Sequence, residues 1–197
     1  MTDFIQELKH DHRVIQEVVA GMSAVADLLD AGKQVDPSIL GDLVQFLSVF
    51  ADHCHHAKEE QHLFPLLATK TDATNKRELQ RLEQEHRSAT QLVQELAKAS
   101  GAYIENPLVM RYRVVALLRR LVELYPAHIW KEDYLLFPLA QQNLSEAEQE
   151  DMAEKFEDVE REVGQDVHAA FEMLAKQLGA VVEYRNSGGC PLCASAA

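Results

Sequence analysis

His55-His56-Ala57-Lys58-Glu59-Glu60-Gln61-His62-Leu63-Phe64-Pro65-Leu66 and His128-Ile129-Trp130-Lys131-Glu132-Asp133-Tyr134-Leu135-Leu136-Phe137-Pro138-Leu139 are one pattern written twice, at an offset of 73. His, Lys, Glu, Leu, Phe, Pro and Leu coincide without a gap. Upstream, Asp11-His12-Arg13 returns as Glu85-His86-Arg87, at an offset of 74. Two copied hairpins would pack with pseudo-twofold symmetry, so that what one places at the centre the other places opposite.

The surrounding sequence is helical in period, with apolar residues recurring at steps of three and four. The first segment carries Ile5, Leu8, Ile15, Val19, Met22, Ala26 and Leu29, with His12 filling the gap in the stripe and Gly32 as a stop. Asp36-Pro37 opens a second segment through Leu47 and Phe50 to about Leu67. A third starts near Thr74, carries Leu79, Leu82, His86, Ala89, Val93 and Leu96, and ends at Gly101. Asn106-Pro107 opens a fourth, through Val114, Leu117, Leu121, Leu124, His128, Leu135 and Leu139. Ser145 with Glu148 is a capping box for a fifth, with Met152, Phe156, Val159, Val163, Val167, Leu174 and Leu178. Short connections make successive helices antiparallel neighbours. The expected fold is all-α: an up-down four-helix bundle over residues 1–141 (halves 4–67 and 74–141), an appended helix at 145–183, and a flexible tail at 184–197. Pro65, Pro126 and Pro138 should kink or end the helices that contain them.

Composition agrees with this reading. The chain has 197 residues with only 8 glycines and 6 prolines, too few for a fold made of many turns. A formal net charge of −13 repels phosphate backbones and anionic lipid, which argues against nucleic-acid and membrane partners. The N-terminus lacks the basic start and apolar run of a signal peptide, and no apolar run is long enough to span a bilayer. Three cysteines, odd and sparse, fit a reducing cytoplasm.

Residues four apart on a helix share a face, so His55 with Glu59, and His128 with Glu132, each present an imidazole beside a carboxylate. His12 and His86 lie in the apolar stripes of their own helices. A bundle interior would thus receive four imidazoles and two carboxylates. Burying even one unpaired carboxylate costs several kcal/mol, and a pair of divalent cations offsets that cost. With no thiolate in the set, two irons bridged by carboxylates are the first choice of metal and zinc the second, since the HExxH pattern of zinc proteases is absent. Ferritin-like sites use four Glu and two His. The reversed ratio here supplies fewer anionic ligands and favours reversible ligand binding or sensing. If both carboxylates bridge, each ion keeps a position for O2, NO or peroxide.

These residues resemble the hemerythrin family, most closely its bacterial HHE cation-binding branch. The resemblance covers roughly residues 4 to 141 and rests on the Asp-His start, the repeated His-x-x-x-Glu-Glu/Asp-x-x-Leu-Phe-Pro motif and the Glu-His of the third helix. It implies a non-haem, carboxylate-bridged di-iron centre held by His12, His55, Glu59, His86, His128 and Glu132, with Glu59 and Glu132 bridging. Oxygen-carrying hemerythrins have a fifth histidine one turn away on helix three. Leu82 and Thr90 stand there instead, which argues against simple oxygen carriage and favours a sensor of O2, NO or of iron and redox state, a stress-response protein or a small redox enzyme. The alternative is a di-iron peroxidase or oxidase, or an iron donor for iron–sulfur repair. A homodimer is compatible with the sequence. A third reading is an interaction module whose buried His and Glu merely pair with one another.

His56 with Glu60 is a rival pair one step along, but the Pro65/Pro138 alignment selects His55 and Glu59. His10, His53 and His62 read as surface or supporting residues. His168 either supplies the missing ligand or is solvent-exposed. Tyr103, Tyr112, Tyr125, Tyr134 and Trp130 read as packing, and Cys54 as a buried packing residue. Cys190-Pro191-Leu192-Cys193 is half of a rubredoxin-type knuckle, and an inert tail is the preferred reading.

Overall fold

The computed structural model describes residues 3–186. The chain forms α1 (Phe4–Asp30), a second rod over residues 37–70 (α2), α3 (Ala73–Glu105), a fourth rod over residues 107–143 (α4), α5 (Glu146–Val163) and α6 (Gln165–Asn186). Among the described residues there is no strand, and no helix is long and apolar enough to cross a membrane. The first four rods make the all-α antiparallel bundle, each packed on the next and α4 back on α1.

The boundaries follow the expected chemistry. The side chains of Asp36, Asn106 and Ser145 accept backbone N–H groups of the turns they start, and the Ser145–Glu148 capping box is complete. Gly32, at φ +76°, closes α1: its N–H bonds the Leu29 carbonyl and that of Lys33 the Leu28 carbonyl. Gly101, expected as a stop, lies inside α3, which runs on to Glu105. The single fifth helix is instead two, because the chain turns at Gly164 (φ +113°) and starts again as α6. Cys190 and Cys193, with most of the expected tail, lie outside the described residues.

The prolines do not end the helices that contain them. The chain remains helical through Pro65, Pro126 and Pro138. At two of them the backbone widens into π turns, Glu59–Leu63 and Glu132–Leu136, with the Phe64 N–H bonded to the Glu59 carbonyl and that of Phe137 to the Glu132 carbonyl. An i→i+5 turn inserts one residue and advances the register of everything after it. That shift explains a failed expectation: Leu135, assigned to the buried stripe, is 54% exposed, and Leu136 takes its place at 3%.

Two apolar clusters fill the bundle. The larger holds Ile15, Val18, Met22, Leu43, Phe46, Leu96, Leu117 and Leu121 among others, and the smaller holds Phe4, Leu8, Leu63, Phe64, Leu82, Leu136 and Phe137. α5 and α6 cover one flank only. Phe156 of α5 meets Phe4 edge-on at 5.9 Å, and Phe171 of α6 packs against Phe46 and Phe50.

Candidate metal centre

Between the two apolar clusters lies a polar layer. α1 brings His12 to it, α2 brings His55 and Glu59, α3 brings His86, and α4 brings His128 and Glu132, all buried. Every one of the six residues expected from the sequence is therefore placed together. Two π turns begin at the two glutamates, and a longer π segment, Leu47–His56, carries His55 and His56.

Donor atoms of His12, His55, Glu59 and Glu132 lie within 4.8 Å of one another, and so do those of Glu59, His86, His128 and Glu132. The two groups share both carboxylates. His12 Nε2 lies 3.1 Å from His55 Nε2, and His86 Nε2 lies 2.9 Å from His128 Nε2. Glu132 reaches His128 Nε2 at 3.0 Å and His12 Nε2 at 3.1 Å, while Glu59 lies 3.5 Å from His86 Nε2 and 3.9 Å from His55 Nε2. These approaches are close but lack hydrogen-bond geometry, so all four carboxylate oxygens of Glu59 and Glu132 are buried without a hydrogen-bond partner.

Each imidazole is gripped from behind by an acid that the sequence reading passed over. His12 Nδ1 meets Asp133 at 2.9 Å, His86 Nδ1 meets Glu60 at 2.7 Å, His128 Nδ1 meets Glu85 at 3.0 Å, and His55 Nδ1 meets Asp11 at 3.4 Å. A carboxylate on Nδ1 draws the proton there and leaves the Nε2 lone pair aimed inward, the arrangement usual for metal-bound histidine. The pattern obeys the duplication: Asp11 and Glu85 serve the histidine of their own half, Glu60 and Asp133 that of the other. The aromatic of each Leu-Phe-Pro motif also crosses over, Phe64 stacking on His86 at 5.6 Å and Phe137 on His12 at 5.4 Å. The signal was present in Asp-His, Glu-His, Glu-Glu and Glu-Asp, where His12, His86, Glu59 and Glu132 each have an acidic chain neighbour.

A third layer breaks the symmetry. Lys58 is wholly buried and binds Asp11 at 3.2 Å, Glu7 at 2.7 Å and Glu160 of α5 at 2.7 Å. Its counterpart Lys131 binds Glu85 in a half-exposed position. His168 of α6 is half-buried and bonds Asp11 at 3.1 Å, so it is neither a ligand of the cluster nor free in solvent. Of the remaining residues, His10 pairs with Glu172 of α6 at 2.8 Å, and His53 bonds the Ser48 carbonyl. Tyr103 accepts the Val35 N–H, Tyr125 is core, and Tyr112, Tyr134 and Trp130 lie at the surface. Cys54 is buried, and burial pushes its thiol up to about 12.

The metal-free electrostatics are those of a site that wants cations. Burial opposes charge on His86 and His128, but Glu132 and the outer carboxylates outweigh it and push both up to about 9. Burial and the neighbouring Glu132 drive Glu59 well above the usual carboxylate range. Glu132, although buried, is held well below that range by His128, His12 and His86. Two neutral imidazoles with protons on Nδ1 would face lone pair to lone pair at 2.9 or 3.1 Å, a repulsive contact unless a proton or a metal ion lies between them. Inward lone pairs and partnerless carboxylate oxygens are the donor set of a divalent transition metal with mixed N and O ligands. The residues fit such an ion, and pairing among themselves leaves the four oxygens of Glu59 and Glu132 without hydrogen bonds.

The hemerythrin HHE cation binding domain matches residues 3–140. The chain belongs to that family. As a hemerythrin HHE protein it is a metal-binding protein, and the matched span takes in all six buried ligand candidates and the four acids behind them. An uncharacterized protein of Mycobacterium bovis and two of Mycobacterium tuberculosis are each 26% identical to it over 155 residues, covering 79% of this chain. The chain spans 60% of the length of these curated relatives. No solved structure gives a match.

Proposed function

We propose that this hemerythrin-like chain is a non-haem di-iron protein in which His12, His55, His86 and His128 with Glu59 and Glu132 hold two iron ions, the carboxylates being shared. The observation that carries this reading is the set of four buried oxygens on Glu59 and Glu132 that lack hydrogen bonds, framed by four inward-facing imidazole nitrogens. Bound iron would supply redox activity and a place for a small ligand. The chain's own part is to fix the imidazoles through Asp11, Glu60, Glu85 and Asp133 and to exclude water from the layer.

The low ratio of carboxylate to imidazole favours reversible binding of O2 or NO, or sensing of iron and redox state, over oxidative chemistry. Metal analysis of protein purified without added metal is expected to give two irons per chain, and exposure to air a new charge-transfer absorption. His55→Ala and Glu132→Ala should each abolish both signals, and full iron content in either variant refutes the assignment. Sustained turnover of peroxide, or delivery of iron to an apo iron–sulfur protein, would instead place the chain among enzymes or iron donors.

A further inference from the structure

His56 stands outside the six residues above, yet it has the marks of a ligand. It is 3% exposed, and its Nδ1 is buried without a hydrogen-bond partner. Buried polar atoms are nearly always paired, so this one needs a reason. At the equivalent place in the second half stands Ile129, a buried hydrocarbon, so the bundle does not need a polar side chain there. The imidazole lies in the polar layer. Its ring stacks on that of His86 at 3.8 Å between centroids and 13° between planes, and meets His128 edge-on at 5.8 Å. One ring nitrogen each of His56, His86 and His128 falls within 4.8 Å of the others.

An acid also stands behind His56, as behind the other four histidines, but farther off. Asp52 Oδ1 stands 3.6 Å from His56 Nδ1, too long for a hydrogen bond but on the correct nitrogen. The Thr90 hydroxyl donates to the same oxygen at 3.0 Å and holds it in place. Tyr125, buried, has its ring 6.4 Å from that of His56 and within 15° of parallel. Small movements of the imidazole would close the bond to Asp52 and turn the other nitrogen toward the cluster.

We propose that His56 is a fifth imidazole ligand, joining His86 and His128 on the same ion. The proposal rests on the di-iron reading above. It makes the pair of ions unequal: one is held by three imidazoles, the other by His12 and His55 alone, although the sequence supplies the two halves with matching motifs. The histidine missing from α3 is then replaced from α2, next to a ligand already identified.

The test uses the full chain, wild type beside His56→Phe and His56→Gln, with His55→Ala as control. Iron is loaded anaerobically, then withdrawn with a graded series of a competing chelator while Mössbauer spectra and melting temperatures are recorded. Wild type should show two distinct iron environments in equal amount. His56→Phe should lose at least one ion at a chelator concentration roughly 10–100-fold lower, the scale of losses at metal sites when a supporting group is removed, and its metal-free form should melt no lower than metal-free wild type. His56→Gln, which keeps a polar group but offers a poorer donor, should fall on the same side. A wild-type release curve and spectrum in either folded variant, while His55→Ala loses its iron, would overturn the proposal and leave the di-iron reading standing. Absence of iron from the wild type would overturn both.

Discussion

Replacing Lys58 by methionine should destabilise the chain by about 3–5 kcal/mol, the range for removing one partner of a buried ion pair. Lys58 is 0% exposed, and its Nζ lies 2.7 Å from Glu7, 2.7 Å from Glu160 and 3.2 Å from Asp11. Burial alone would disfavour its charge, but the Asp11 and Glu7 carboxylates outweigh that and raise its pKa above the ordinary lysine value. Asp11 is itself sealed, so without the ammonium it cannot recover its lost hydration and keeps only His55 and His168. Lys131 provides the internal control, since it occupies the duplicated position and binds Glu85 with 39% of its side chain exposed. An exposed pair of that kind contributes about 0–1 kcal/mol. Methionine nearly matches lysine in length and polarizable bulk, and Phe156 already lies against the Lys58 head group. For a chain of this size, the two ranges correspond to losses of about 6–20 °C for Lys58→Met and under about 4 °C for Lys131→Met. Thermal melts of the two metal-free variants, followed by circular dichroism beside wild type, measure the difference. Equal losses would show that α5 and α6 do not seal Asp11, and the reasoning would fail.

Two further outcomes follow from the same geometry. His86 and His128 carry pKa values raised from 6.5 to about 9, so the stability they give the metal-free chain is complete below pH 6.5 and is lost as pH rises to about 9. Metal must displace those protons, so affinity should increase over the same window with proton release on loading; a pH-independent affinity in metal titrations would contradict the assignment. Gly21→Ala gains about 1 kcal/mol of helix preference, but its new Cβ would stand 3.0 Å from Leu178 Cβ and 3.2 Å from the Leu178 carbonyl oxygen. Overpacking of this kind costs about 1–3 kcal/mol, so urea denaturation should show a net loss, and a stabilised variant would mean that α6 does not lie against α1.

The ligand candidates were legible because each is marked twice: His55 with Glu59 and His128 with Glu132 by i,i+4 spacing and repetition of the motif, His12 and His86 by stripe position and repetition. His12 interrupts an apolar stripe, a placement that an ordinary surface histidine does not take. The supporting acids were not legible by the same logic. Asp11, Glu60, Glu85 and Asp133 are chain neighbours of the ligands, and adjacent residues on a helix point about 100° apart. Each acid therefore serves an imidazole on a different helix, a relation that only assembled rods display. The exposure of Leu135 and burial of Leu136 were hidden for another reason, because a π turn resets the period that the stripe is counted with. By sequence His56 competes with His55 for one place, whereas both rings enter the polar layer. The break at Gly164 was masked by an apolar stripe that continues in register from Val159 to Val167 on either side of it.

Each of the four main rods runs from one greasy block through a single charged storey into another greasy block. The molecule is thus a column whose seam lies at mid-height, where sealed carboxylate oxygens go without hydrogen bonds and hydrocarbon glue is missing. Emptied of its ions, such a column yields first at the waist, and filling it fastens the upper storey to the lower.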